Sequence, residues 1–298
     1  ASTLRDAELL ARLTAGLPNR PFCVIDAGWQ VHSWTGGPHE PAPDKDFKAY
    51  GMAELAAALR QRNVKPGLWV RVTNTKDPAL VPANTSRKGD GDSTLIDPSH
   101  EVNREAIRAT MRRVVEEWGY DLVKVDFSGY DIMGRWGWQM PRRATSAETL
   151  PFVREDLTTA EVMTMFYRDL REGAGDRATI LGCNTFGHLG AGLFDIQRTA
   201  DDTSGREWEP NRINGVNTLA FRACQQGSFF EVDADCVGIT EHVTWNLNRQ
   251  WLDLVARSGT ALFISADPRA VNSTTIPAMK EALARASRRS DVGEPLDW

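Results

Sequence analysis

No apolar run in the 298-residue sequence reaches the ~18 residues that a membrane-spanning helix needs, so no membrane partner is expected. The start, ASTLRDAELLARL, lacks a signal-peptide core, although a leader already removed would leave such a start. There is no cationic surplus, with Lys+Arg 35 against Asp+Glu 40 and a net charge of −5, which argues against nucleic acid. Cysteine is scarce. The four present, Cys23, Cys183, Cys224 and Cys236, are scattered and form no CxxC, which excludes a disulfide scaffold and points to a reducing, cytoplasmic setting. The five histidines show no HxxH, HExxH or HxH spacing, so neither a metal site nor another cofactor is expected. GxSxG is also missing, which leaves Ser/His/Asp catalysis without support. Disorder and collagen-like repeats are excluded by a composition 41% hydrophobic and 25% charged. Tryptophan, by contrast, is abundant. There are ten, several beside glycines and acids, and flat aromatic faces suit sugar rings.

Short apolar runs alternate with helical patterns. Strands are expected at Pro21–Gly28, Gly67–Val72, Asp121–Phe127, Thr179–Asn184, Asp195–Thr199, Ser228–Asp233 and Thr260–Ser265. Helices are expected at Thr3–Ala15, Met52–Gln61, Val102–Trp118, Thr158–Glu172, Ile213–Gln225 and Leu247–Arg257. Nearly continuous apolar strands separated by helices imply parallel βαβ units. An open doubly wound sheet fits this pattern, but no GxGxxG turn follows the first strand. Polar residues follow almost every strand: Asp26, Arg71, Asp126, Asn184, Asp202 and Asp233. That rim is where (β/α)₈ barrels build active sites, so the expected fold is an α/β barrel of the TIM type. Seven strands are counted where eight are needed, which predicts that the first lies upstream of residue 1 or is supplied in some other way. Residues 1–298 read as a single barrel domain belonging to something longer, or as a minimal form. Gln30–Lys48 and Gly129–Leu157 read as long, function-bearing loops on the same face. Nothing specifies an oligomeric state.

Three constellations carry chemistry. In Lys124-Val125-Asp126-Phe127, the period-2 strand points Lys124 and Asp126 the same way. A carboxylate beside a lysine stays ionised, as a glycosidase nucleophile must. A Lys–Asp ion pair closing the core is an equally good reading of these residues. The second is Arg198-Thr199-Ala200-Asp201-Asp202-Thr203, with Trp208 six residues after Asp202. A carboxyl there serves as general acid and base, while helix capping is the simpler alternative. The third, Asp26-Ala27-Gly28-Trp29, offers a carboxylate for two sugar hydroxyls and an indole wall, or simply a strand-ending turn.

Taken in order, DAGW (Asp26–Trp29), GLW (Gly67–Trp69), WGYDLVKVDF (Trp118–Phe127), GCN (Gly182–Asn184) and RTADDTSGREW (Arg198–Trp208) resemble the retaining α-galactosidase (melibiase) group, glycoside hydrolase families 27 and 36. Asp97-Pro98-Ser99 also looks like a turn of that family. The resemblance runs from about Phe22 to Asp267. It implies Asp126 as nucleophile and Asp202 as acid/base, with Asp201 a weaker alternative. It implies that Lys124 binds a sugar hydroxyl and lowers the Asp126 pKa. Asp26, Trp29, Trp69, Cys183, Arg198 and Trp208 would serve the substrate, a small oligosaccharide or glycoside. The expected mechanism is double displacement, with Asp126 ionised and Asp202 protonated near neutral pH.

One departure bears on specificity. The family has two adjacent aspartates before GW, and this chain has Asp26-Ala27. Losing one removes charge-assisted hydrogen bonds to galactose, each worth roughly 1.5–3 kcal/mol. A related α-glycosidase acting on N-acetylgalactosamine or an arabinopyranoside is therefore an alternative, unless Arg71, His32 or a loop residue compensates. Glycosyl transfer to a second sugar is another. A glycan-binding barrel without turnover and a Lys124 Schiff-base lyase are further readings. The lyase is disfavoured because Asp126 keeps the lysine protonated.

Overall fold

The computed structural model describes residues 2–31, 51–76, 93–133 and 152–288. Most of both expected long loops, with His32 and His39, lies outside them. The chain divides into two compact units, one from the described residues of 1–7 and 22–195, the other from those of 8–21 and 196–298.

The chain opens with helix α1 (Ser2–Leu13). Strand β1 (Phe22–Ile25) then leads to helix α2 (Met52–Gln61), which buries Met52, Leu55, Ala56 and Leu59. That spacing is one face of a 3.6-residue period. Strand β2 (Lys65–Val70) pairs in parallel with β1, aligning Val24 with Gly67. A short antiparallel pair, β3 (Asn74–Thr75) and β4 (Thr94–Leu95), follows. Helix α3 (Glu101–Arg112) starts at His100, whose Nδ1 accepts from Val102 N, and runs on as a π turn over Arg113–Glu117. Strand β5 (Leu122–Val125) pairs with β2 and leads into a short helix, α4 (Ser128–Met133).

Helix α5 (Thr159–Ala174) begins with a capping box between Thr158 and Glu161. It buries Val162, Phe166, Tyr167 and Leu170, and its Asp169 accepts from Arg104 and Arg108 of α3. Strand β6 (Thr179–Gly182) pairs in parallel with β5. The order β1–β2–β5–β6, with every pair parallel and nearly every β2 and β5 position buried, is the βαβ pattern expected from the sequence.

In the second unit, strand β7 (Ile196–Arg198) pairs in parallel with β8 (Glu231–Asp233). Between them the expected helix Ile213–Gln225 is composite. It runs as α6 (Trp208–Pro210), a π turn over Asn211–Asn217, α7 (Thr218–Arg222) and a 3₁₀ turn over Ala223–Gln225. Asn211, Asn214, Gly215 and Asn217 are weak helix formers, so the segment lacks one uniform ladder. A strand not anticipated, β9 (Val237–Ile239), continues beyond β8 after a break at Asp235, whose φ is +72°. It pairs with β10 (Ile264–Ala266), while Asp233 bridges Ala261. Acids interrupting the apolar run EVDADCVGI hid β9 from its alternation. Helices α8 (Trp245–Ser258) and α9 (Thr275–Ala286) bury Trp251, Leu252, Val255 and Met279 against Val232 and Val237. Helix α9 was also unforeseen.

Candidate active site

The sequence motifs of the first unit meet at the C-terminal ends of its strands. Asp126 follows β5 directly and is 7% exposed. Its backbone N–H donates to Val70 O at 3.0 Å, which fixes its height beside β2. Three donors hold its carboxylate. Trp69 Nε1 donates to Oδ2 at 3.0 Å, while Asn184 Nδ2 and the Phe127 N–H each donate to Oδ1 at 2.6 Å. Trp29 Nε1 in turn donates to the Trp69 carbonyl at 2.8 Å. The tryptophans of DAGW and GLW thus form a relay that ends on the aspartate of KVDF. Trp29 is 1% exposed and packs edge-on against Trp118, so its indole props Trp69.

The local backbone explains the third donor. Phe127 sits in the left-handed region at φ +62°, which turns its N–H back toward Asp126. A side chain there costs roughly 1–2 kcal/mol. The Phe127 ring is held by the Arg71 guanidinium stacked 4.3 Å above its centre. Arg71, one expected stand-in for the missing aspartate, is held in an ion pair. It is 1% exposed, and its Nε and Nη2 donate to Asp131 of α4 at 2.8 and 2.5 Å. Thr73 Oγ1 adds a third bond to Asp131.

Lys124 is also placed otherwise than a direct pair with Asp126. Its Nζ donates to Asp26 Oδ2 at 2.8 Å, across β2. Burial penalises the Lys124 charge, but Cys183, Asp26 and Asp126 outweigh it and raise its pKa. Burial by itself would raise the Asp126 pKa. The Lys124 charge and the bonds from Trp69, Asn184 and Phe127 overcome it and hold the carboxyl below the usual range. Cys183 is buried beside this group, its N–H donating to Val125 O.

In the second unit Arg198 ends β7, with a 3% exposed side chain. Its Nη2 donates to Asp202 Oδ1 at 2.6 Å and to Asp235 Oδ2 at 2.7 Å. Asp202 is solvent-facing at 86% exposure, whereas Asp235 also accepts from the Thr203 N–H and hydroxyl. Asp201 accepts the Asp202 N–H as a local turn bond. Trp208 packs partly buried on the core of this unit.

Sequence reasoning missed Asn184 as a ligand of Asp126, the Arg71–Asp131 pair and Asp235. A polar residue directly after the strand-end Cys183 was the available signal for Asn184. Among the described residues no group of three or more His, Cys, Asp or Glu side chains is placed to hold a metal ion. None of the described helices is long and apolar enough to cross a membrane.

No protein-family model matches the sequence, and no curated protein matches it. Solved structures do match. An alpha-galactosidase from Thermus thermophilus, solved with p-nitrophenyl alpha-D-galactopyranoside, superposes with a TM-score of 0.68 at 21% identity, covering 94% of this chain and 59% of that one. A glycoside hydrolase family 27 β-L-arabinopyranosidase from Geobacillus stearothermophilus, solved with arabinose, gives 0.69 at 15% identity, covering 96% and 73%. An isomalto-dextranase from Arthrobacter globiformis solved with panose gives 0.67 at 15%, covering 97% and 53%. The parallel strands and these neighbours fit a partial (β/α)₈ barrel. The barrel expected from the sequence is therefore the fold of this chain, which spans about 59% of the length of the Thermus protein.

Proposed function

We propose that this barrel is a retaining α-glycoside hydrolase, with an α-galactoside as its first substrate and residues 1–298 as one catalytic domain. The observation that carries the reading is the Asp126 carboxylate, buried at a strand end, accepting three hydrogen bonds and held ionised near Lys124. A carboxylate so placed is a nucleophile in waiting for an anomeric carbon. The likeness to sugar-bound glycosidase structures and the ordered motifs support the same reading.

In this account Asp126 attacks the anomeric carbon while Asp202 protonates the leaving oxygen. Asp202, now ionised, then activates the water that releases the sugar. Retention requires the two carboxyls to approach to about 5–5.5 Å in the complex. Arg198 orients Asp202, and Asp26, Lys124, Trp69 and Cys183 bind the sugar. Trp29 and Trp208 are assigned to substrate binding in the same proposal. A cytoplasmic, reducing setting is part of the same proposal, since the four cysteines are scattered and form no CxxC.

Ala27 favours a second reading of the substrate. With Asp26 alone beside Lys124, a sugar making fewer polar contacts there, such as an arabinopyranoside, is the main competitor to galactose. An N-acetylgalactosaminide is another, and transfer to an acceptor sugar uses the same intermediate. The test is release of p-nitrophenol from a panel of p-nitrophenyl glycosides by wild type and Asp126→Ala. Turnover that disappears in Asp126→Ala supports the proposal. Equal inactivity of both on the whole panel favours a glycan-binding barrel.

A further inference from the structure

We infer that Asn184 is a positioning residue that dedicates one oxygen of Asp126 to hydrogen bonding and leaves the other, Oδ2, to attack. The inference rests on the glycosidase reading above and deepens it. The two carboxylate oxygens are held unequally. Oδ1 accepts from Asn184 Nδ2 and from the Phe127 N–H, both at 2.6 Å. Among the described residues Oδ2 accepts only the longer 3.0 Å bond from Trp69 Nε1. Two short bonds draw charge toward Oδ1 and occupy its lone-pair directions. Oδ2 keeps an open lone pair.

Asn184 is locked in this pose by its backbone. Its φ is +53°, a conformation that asparagine tolerates better than most side chains. The Gly129 N–H donates to the Asn184 carbonyl at 2.7 Å, and a Cβ on Gly129 would collide with that oxygen. The first turn of α4 therefore clamps the end of β6, and the Asn184 amide aims at Asp126. In the reaction, Oδ2 bonds to the anomeric carbon as the exocyclic carbon–oxygen bond breaks. The bond's electron pair goes to the leaving oxygen, which takes the Asp202 proton. Asn184 stays on Oδ1 throughout and holds the plane of the carboxylate.

The test compares Asn184→Gly with Asn184→Ala on the p-nitrophenyl glycoside that wild type turns over best. Glycine removes the amide and keeps the left-handed backbone unstrained, so Asn184→Gly is expected to fold, with a melting temperature lowered by the lost hydrogen bond. Its kcat is expected to fall about 10- to 100-fold, the worth of one charge-assisted hydrogen bond, with KM within about threefold. Asn184→Gly with wild-type kcat would overturn the inference, because Asn184 then only shapes the turn. A crystal structure of the 2-fluoroglycosyl intermediate provides the second readout. A bond from C1 to Oδ2, with Asn184 still on Oδ1, is expected, and a bond to Oδ1 would overturn it. If wild type and Asp126→Ala are both inactive on the panel, the glycosidase reading falls and takes this inference with it. If turnover needs Asp126 and ignores Asn184, only this inference falls.

Discussion

Lys124 donates to Asp26 at 2.8 Å and acts on Asp126 through its charge alone. The two acids flank one ammonium on a side chain 14% exposed, with the Asp26 side chain 61% exposed and Asp126 nearly covered. Removing that cation leaves Asp126 buried without its largest stabilising charge. Lys124→Met is therefore expected to move the acid limb of the kcat/KM profile to higher pH and to lower kcat/KM by about 10- to 100-fold. The sign follows from the folded Asp126 pKa lying below its unfolded value of ~3.9. Its ionised form contributes stability above that value, and the contribution is lost as pH falls through the lower folded value. An acid limb that stays in place in Lys124→Met would detach the lysine from Asp126.

Ala27 sits where the melibiase pattern has a second acid. Ala27→Asp is expected to raise kcat/KM for p-nitrophenyl α-D-galactopyranoside by about 10- to 100-fold relative to an arabinopyranoside. The ratio of the two kcat/KM values in one preparation is the measurement. An unchanged ratio would show that sugar choice is set elsewhere.

The acid role proposed for Asp202 carries a leaving-group signature. Asp202→Asn is expected to lose roughly 10²- to 10⁴-fold in kcat on a disaccharide. On a dinitrophenyl glycoside, whose leaving group departs without a proton, the loss should be small. An equal loss on both would remove Asp202 from the acid role.

The packing of α3 on α5 depends on Gly173. A Cβ there would meet Arg108 O at 2.5 Å and Met111 Cβ at 2.8 Å. Gly173→Ala is expected to destabilise by about 1–3 kcal/mol, read as a lower denaturation midpoint at unchanged m-value. A midpoint equal to wild type would mean that the two helices part without cost.

Apolar strands and amphipathic helices carried most of the fold into the sequence. Helix α2 matches its expected span because Met52, Leu55, Ala56 and Leu59 mark one face and Gly51 precedes it. Strand β9 was hidden because Asp233 and Asp235 serve the rim and Arg198, not the alternation of a strand. Asp126 was legible because Lys124 two residues earlier and a following Phe form a compact local pattern. Asn184, Asp131 and Asp235 were not, because their partners lie 58, 60 and 37 positions away along the chain, at Asp126, Arg71 and Arg198. Such pairings are made by strand order and by left-handed turns that local spacing does not encode.

The central claim is that Asp126 forms a bond to sugar. Incubation with a 2-deoxy-2-fluoro glycosyl fluoride of the preferred sugar, followed by intact-mass and peptide mass spectrometry, tests it directly. The account predicts one sugar per chain, carried on the peptide containing Asp126 and absent from Asp126→Ala. Label on another carboxylate in an enzyme that turns the substrate over would contradict it.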